Sequence, residues 1–252
     1  MTESEGFSTV ATGLETQEAR IARRGGELPA YLAKPAGAGN CPIILIAQEI
    51  FGLNDHIRDI ARRFAALGYL AIAPDFFAGF GDPSRARNID AIRAILAKVP
   101  DAATMADFDA ALAFAGTHGG DLARAAITGF CWGGRIAWLY AAHNPSLRAA
   151  IPWYGRLDGD RTPNHPRWPV DIAGELKVPT LGLYGGADPS IPLTQIEDMR
   201  ARLLASGAPA EIIVYADAPH AFFADYRESF RPEPAQDGWV RTLAFLRARG
   251  VA

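Results

Sequence analysis

An α/β protein with a mostly parallel central sheet is the fold class this sequence predicts, on two observations. Short apolar or β-branched runs recur along the chain, bounded by Gly and Pro: PIILIA (42–47), YLAIAP (69–74), AAITGF (125–130), AAIPWY (149–154), TLGLY (180–184) and EIIVY (211–215). Runs that are apolar at successive positions belong to strands covered on both faces. Between them lie longer stretches whose apolar residues return at helical spacing, marking one buried helix face. Such alternation implies right-handed crossovers, helices on both faces, and ligands at the carboxyl ends of the strands.

Taken in order, ARIARRGGELPAYLAKP (19–35) reads as two short strands around Gly25-Gly26, an antiparallel hairpin at the sheet edge. Asn54–Leu67 follows the first inner strand as a helix with Ile57, Ile60, Ala61, Phe64 and Leu67 on one face. The spacing recurs in Ile89/Ile92/Leu96, Met105/Phe108/Leu112, Ile196/Met199/Leu203 and Trp239/Leu243/Leu246, and each set is expected to be a core stripe. GRIAWLYAAHN forms a further helix directly after AAITGF, and the Pro-rich connection 155–179 is a candidate lid.

The chain's 252 residues suit one such unit. Residues 1–16 are expected to form a flexible N-terminal segment and 17–252 a single domain. A net charge of −3 with 21% charged residues supplies no basic footprint for nucleic acid. No apolar run approaches the ~20 residues of a membrane span, and the N-terminus lacks the basic start of a secretory signal. A cytoplasmic protein acting on a small molecule is expected, with no nucleic-acid or membrane partner and no stated oligomeric state. Cys41 and Cys131 lie far apart without metal-ligand spacing, so free thiols and neither metal nor cofactor are expected.

Cys131 lies where AAITGF meets GRIAWLYAAHN, in Gly129-Phe130-Cys131-Trp132-Gly133. A strand that turns sharply into a helix holds its central residue in a strained conformation, and glycines two positions to either side keep the turn free of collisions. The side chain then projects beside a helix N-terminus, which favours a thiolate over a thiol. A nucleophile also needs a base and a group to orient that base. Asp188 in LYGGADPSIP and His220 in YADAPHAFF each follow a strand, in the order found in the α/β-hydrolase fold. The amides of Trp132, next to the nucleophile, and Ile50, after the first inner strand, are the expected oxyanion donors. Glu49 sits between apolar Ile46 and Phe51 at a strand end, where a carboxylate is costly unless the site uses it. Trp153 and Tyr154 end a strand beside the elbow and are candidate pocket residues.

The motifs QEIFG, GFCWGG, YGGADPSIP and PHAFF, in this order, resemble those of the dienelactone hydrolase (carboxymethylenebutenolidase) family of α/β-hydrolases. The resemblance covers nearly all of the chain beyond the N-terminal tail. It implies a Cys131–His220–Asp188 triad acting on lactones or activated esters through an acyl-enzyme, with Ile50 and Trp132 as oxyanion donors. It also implies that Glu49 contacts the resting thiol and helps deprotonate it when substrate arrives. Two arginines that hold the substrate carboxylate in the founding members are not matched: PDFFAGFGD (74–82) contains none, and the second position falls on Ala224. Arg227, three residues further, is the candidate replacement. Two rival readings use the same residues: a thiol redox protein built on Cys131, and a binding protein that keeps the pocket without turnover.

Overall fold

The computed structural model describes residues 8–23 and 25–251. Among them, β1 (Leu14–Arg23) and β2 (Gly26–Pro35) form the hairpin, and the inner strands are β3 (Cys41–Ala47), β4 (Leu70–Pro74), β5 (Gly120–Phe130), β6 (Ala149–Trp153), β7 (Thr180–Gly185) and β8 (Ala210–Tyr215). They make one sheet in the order β1-β2-β4-β3-β5-β6-β7-β8. The β1–β2 and β2–β4 pairs are antiparallel and the rest parallel. Every residue of β4, β6 and β7 is buried, which explains their uninterrupted apolar character.

The helices are α1 (Asp55–Ala66), α2 (Ile89–Leu96), α3 (Asp101–Thr117), α4 (Trp132–His143), α5 (Pro169–Ile172), α6 (Leu193–Ser206) and α7 (Pro232–Ala248). Asn54 caps α1 by accepting a hydrogen bond from the Ile57 amide at 3.1 Å, and Ile57, Ile60, Ala61 and Phe64 face the core as their spacing requires. Two stripe residues do not. Leu67 follows the last turn of α1 and is exposed; Ile89 opens α2, a short surface helix in which Ile92 is the buried residue.

The hairpin also starts earlier than its sequence suggests. Residues 14–16, expected in the flexible segment, pair with Pro35, Lys34 and Ala33. LETQEARIAR is an exposed edge strand whose outer half is polar, so it carries little apolar signal. Thr9 is held as well: its amide donates to Asp59 Oδ1 at 2.5 Å and its carbonyl accepts from Arg62 Nε at 3.1 Å. Residues 1–7 of the expected flexible segment lie outside the described residues.

The connection 155–179 is tied down where a lid was the candidate. Arg135 of α4 forms a bidentate pair with Asp101 at the start of α3, at 2.6 and 2.7 Å, and donates to the Arg167 carbonyl at 2.7 Å. Its guanidinium lies 4.4 Å from the Trp168 ring, and the Asp101 amide donates to the Asn164 carbonyl. Arg135 is almost fully buried, so removing its partner leaves an uncompensated charge. Asp101→Ala is therefore expected to lower the unfolding free energy by about 3–5 kcal/mol. Urea denaturation checks this, and a loss within experimental error would show that the pair does not secure the connection.

Candidate active site

The register of the parallel strands places the site. Ala47 pairs with Gly129 and Phe130 with Trp153, so the segments after β3, β5 and β6 leave the sheet side by side. Trp153 pairs with Leu183 and Gly185 with Tyr215, which brings the segments after β7 and β8 to the same edge.

At the end of β5, Cys131 adopts φ 57° and ψ −116° and begins α4. This is a left-handed conformation that a non-glycine residue holds only under strain. The strain is fixed by close packing. A Cβ on Gly129 would strike the Gly133 carbonyl, and one on Gly133 would strike the carbonyls of Ala47 and Gln48. The two glycines expected to keep the elbow clear thus also let it pack against the end of β3. The Cys131 amide donates to the Trp153 carbonyl at 3.1 Å, and its side chain is partly accessible. Among the described residues, no carbonyl accepts from the amides of Ile50 or Trp132, the property an oxyanion site requires.

His220 and Asp188 meet across the ends of β7 and β8. Asp188 Oδ2 lies 2.6 Å from His220 Nδ1, and its Oδ1 accepts from the Ser190 amide at 2.8 Å and the Ser190 hydroxyl at 2.6 Å. Burial opposes the ionised Asp188, but the hydrogen bond and charge of His220 and the Ser190 donors outweigh it and hold the carboxyl below its usual range. Burial likewise opposes the charged imidazole of His220. Hydrogen bonds with Asp188 and Cys131, and the charges of both, override that and push it up to about 10. With Nδ1 committed to Asp188, Nε2 is the nitrogen that faces Cys131. Ser190 was not singled out in the sequence, although Asp-Pro-Ser is a recognisable turn in which Asp accepts from the residue two positions on.

Glu49 is fully buried. Its Oε2 accepts from the Tyr226 hydroxyl at 2.9 Å, and its Oε1 has no partner among the described residues. Tyr154, also fully buried and held at φ 37°, packs edge-on to the His220 ring with centroids 5.3 Å apart. Its hydroxyl likewise has no partner. Burial and the neighbouring charges of Glu49 and Cys131 raise its phenol well above the usual range, so it remains a donor. Tyr154 thus joins the site, whereas Trp153, its companion as a candidate pocket residue, does not. The Trp153 ring lies in the core, 4.6 Å from Phe223 and 5.8 Å from Phe222, because the alternation of β6 turns it to the face under α7.

The Arg227 guanidinium stands 5.3 Å from the Phe51 ring, and no carboxylate pairs with it among the described residues. Ala224 is fully buried. A cavity of about 630 Å³ opens between the Glu49 segment and the loop after β4, walled by Phe51, Asn54, Asp75, Gly79 and Asp82. Arg23 reaches this loop from the hairpin, but it is spent on Asp107 at 2.6 Å and the Ala78 carbonyl at 2.9 Å. Cys41 opens β3, whereas the site lies past its other end, roughly 20 Å away at the rise of a strand. It is too distant to form a disulfide with Cys131.

A parallel sheet with an antiparallel edge, a strained cysteine between a strand and a helix, and an Asp-supported His after the last strands define an α/β-hydrolase. The sequence model of the dienelactone hydrolase family matches residues 28–249, and the chain belongs to that family of hydrolases. A Methylorubrum extorquens protein named "Putative carboxymethylenebutenolidase" is 53% identical over 248 residues, 98% of this chain and 85% of that one. A protein of the same name from Escherichia coli strain K12 is 52% identical over 232 residues, 91% of this chain and 86% of that one. The crystal structure of a Klebsiella pneumoniae protein titled "Putative Dienelactone Hydrolase" superposes with a TM-score of 0.91 at 51% identity, covering 93% of this chain and 98% of that one. Brefeldin A esterase shares the fold alone, with a TM-score of 0.71 at 14% identity, over 99% of this chain and 80% of that one.

The raised imidazole of His220 has a consequence for stability. The folded value of about 10 exceeds the ordinary 6.5, so the stabilisation from the protonated ring is complete below about pH 6.5 and is lost as pH rises through about 10. The difference in thermal midpoint between the parent and His220→Gln is expected to be larger at pH 6 than at pH 10.5. Equal differences at both pH values would mean that the ring gains nothing from its charge in the folded state.

Proposed function

We propose that this protein hydrolyses lactones and activated carboxylic esters of small molecules through a Cys131–His220–Asp188 triad and a thioester acyl-enzyme. The observation that carries the proposal is the alignment of His220, with Nδ1 2.6 Å from a buried, fully hydrogen-bonded Asp188 and its other nitrogen facing the Cys131 thiol. With the thiol proton held on His220, sulfur attacks the carbonyl carbon, and the Ile50 and Trp132 amides receive the negative oxygen. Collapse of the adduct expels the alkoxide, which leaves with the proton from His220. His220 then takes a proton from water, whose oxygen attacks the thioester, and the acid departs as sulfur regains its proton. Asp188 orients the imidazole and offsets its charge throughout. Glu49 supplies the second base that readies the thiol. No cofactor takes part in these steps, and a cytoplasmic setting suits a free thiol nucleophile.

Cys131→Ala is expected to cut kcat on a p-nitrophenyl ester by about 10⁴-fold while leaving the circular dichroism spectrum unchanged. Cys131→Ser should lose about 10²-fold or more, because an alkoxide is harder to form than a thiolate with the same base. Comparable turnover by the alanine variant would falsify the mechanism.

The surroundings of the cavity favour a neutral substrate. Asp75 and Asp82 wall it, residues 74–82 contain no arginine, and Arg85 just beyond them pairs with Asp82 at 3.1 Å. A carboxylate-bearing dienelactone is therefore expected to show a KM about tenfold or more above that of a neutral ester of similar reactivity. Steady-state assays on the parent and Arg227→Ala decide this. A low KM for dienelactone that is lost in the variant would assign the carboxylate to Arg227.

A further inference from the structure

Glu49 enters the reaction as a buried carboxylate, and something must set both its direction and its charge. One of its oxygens is already engaged: Tyr226 donates to Oε2 at 2.9 Å, leaving Oε1 uncommitted. No sequence motif pointed to Tyr226, which lies six residues past His220 in the same turn. Burial and then the charge of Glu49 raise its phenol well above the usual range, so it remains a hydrogen-bond donor.

The turn that carries Tyr226 is fastened to α1. The Tyr226 ring packs against the His56 ring, centroids 5.0 Å apart. His56 Nδ1 lies 3.2 Å from Asp225 Oδ1, and both side chains are almost fully buried. Asp225 also pairs with Arg63, which in turn meets Asp59 at 2.6 Å. Burial opposes the Asp225 charge, but His56 and Arg63 overcome it and hold the carboxyl below its usual range. Within the turn, Ala224 donates to the Ala221 carbonyl and Arg227 to the Ala224 carbonyl, both at 3.0 Å. The phenol is thus clamped at its ring and at the neighbouring backbone, with its hydroxyl directed at one oxygen of Glu49.

We propose that Tyr226 is the positioning residue for Glu49: its hydroxyl fixes the Oε2 side of the carboxylate and draws off part of its negative charge, so that Oε1 serves the Cys131 thiol. The proposal rests on the roles given above to Cys131 and Glu49. A carboxylate beside a thiolate repels it, and a hydrogen bond donated to that carboxylate lessens the repulsion. Removing the hydroxyl therefore makes the Cys131 anion harder to form, whereas removing the Glu49 charge makes it easier.

The test is a cycle of four proteins: parent, Tyr226→Phe, Glu49→Gln and the double variant. Iodoacetamide alkylation of Cys131 at neutral pH is followed in each, with kcat and KM on a p-nitrophenyl ester. Glu49→Gln should alkylate faster than the parent. Tyr226→Phe should alkylate about tenfold more slowly, the scale of one hydrogen bond to a charged group, and kcat should fall by a similar factor with KM little changed. The double variant should match Glu49→Gln, since the phenol has no charge left to act on. A general loosening of the site would instead speed alkylation by exposing the thiol. Faster alkylation in Tyr226→Phe, no change, or the same loss in both backgrounds would each overturn the proposal. If Cys131→Ala retains ester turnover, the hydrolase reading fails while the alkylation cycle still decides the role of Tyr226.

Discussion

The pairing of β3 with β5, Ala47 opposite Gly129, is the constraint on which the site depends. It puts the segment bearing Glu49 and Ile50 against the elbow bearing Cys131. The contact closes only because residues 129 and 133 have no side chains. Chain turning at such close quarters cannot follow the low-energy backbone path. Accordingly, Cys131, Tyr154 and Ala221 all adopt positive φ, and each stands at or next to a group of the site. The packed sheet beneath them holds these conformations: β4, β6 and β7 are buried along their whole length. The core thereby maintains a strained geometry that the loops alone could not.

Polar groups complete what the backbone begins. Asp188 is satisfied on both oxygens, by His220 on one side and Ser190 on the other, so the imidazole has one favoured orientation. Glu49 and Tyr154 are different, each keeping a buried polar atom without a partner. Buried orphans of this kind are expensive in an ordinary core and are tolerated where a reacting molecule will meet them. One half of this cluster is thus fully hydrogen-bonded, and the other keeps uncommitted polar atoms.

Much of this was legible in the sequence, for reasons that differ by element. The inner strands declared themselves because burial on both faces leaves no room for polar residues, so AAIPWY and TLGLY match β6 and β7 closely. Cys131 directly follows such a run and Asp188 and His220 come within five residues of one, which is why the sequence singles them out as candidates. The outer half of β1 was not visible: an edge strand facing solvent tolerates polar residues at most positions, and in LETQE only Leu14 is apolar. Trp153 and Tyr154 looked alike as neighbouring aromatics, and only the alternation of β6 sends one to the core and the other to His220. The cluster of His56, Arg63, Asp225 and Tyr226 joins a helix to a turn more than 150 positions later, and no local pattern announces a contact of that range.

That cluster also bears on how such an enzyme can change. The eight residues from His220 to Arg227 hold the imidazole that meets Asp188, the phenol that meets Glu49, the ionic fastening to α1 and, among the described residues, a cation without a carboxylate partner. A substitution there disturbs several of these contacts together. The loop after β4 is under no such burden: Gly79, Gly81 and Asp82 are exposed on the rim of the cavity, away from the hydrogen bonds between Asp188, Ser190 and His220. A side chain changed at that rim therefore meets fewer fixed neighbours than one changed in the turn beyond β8.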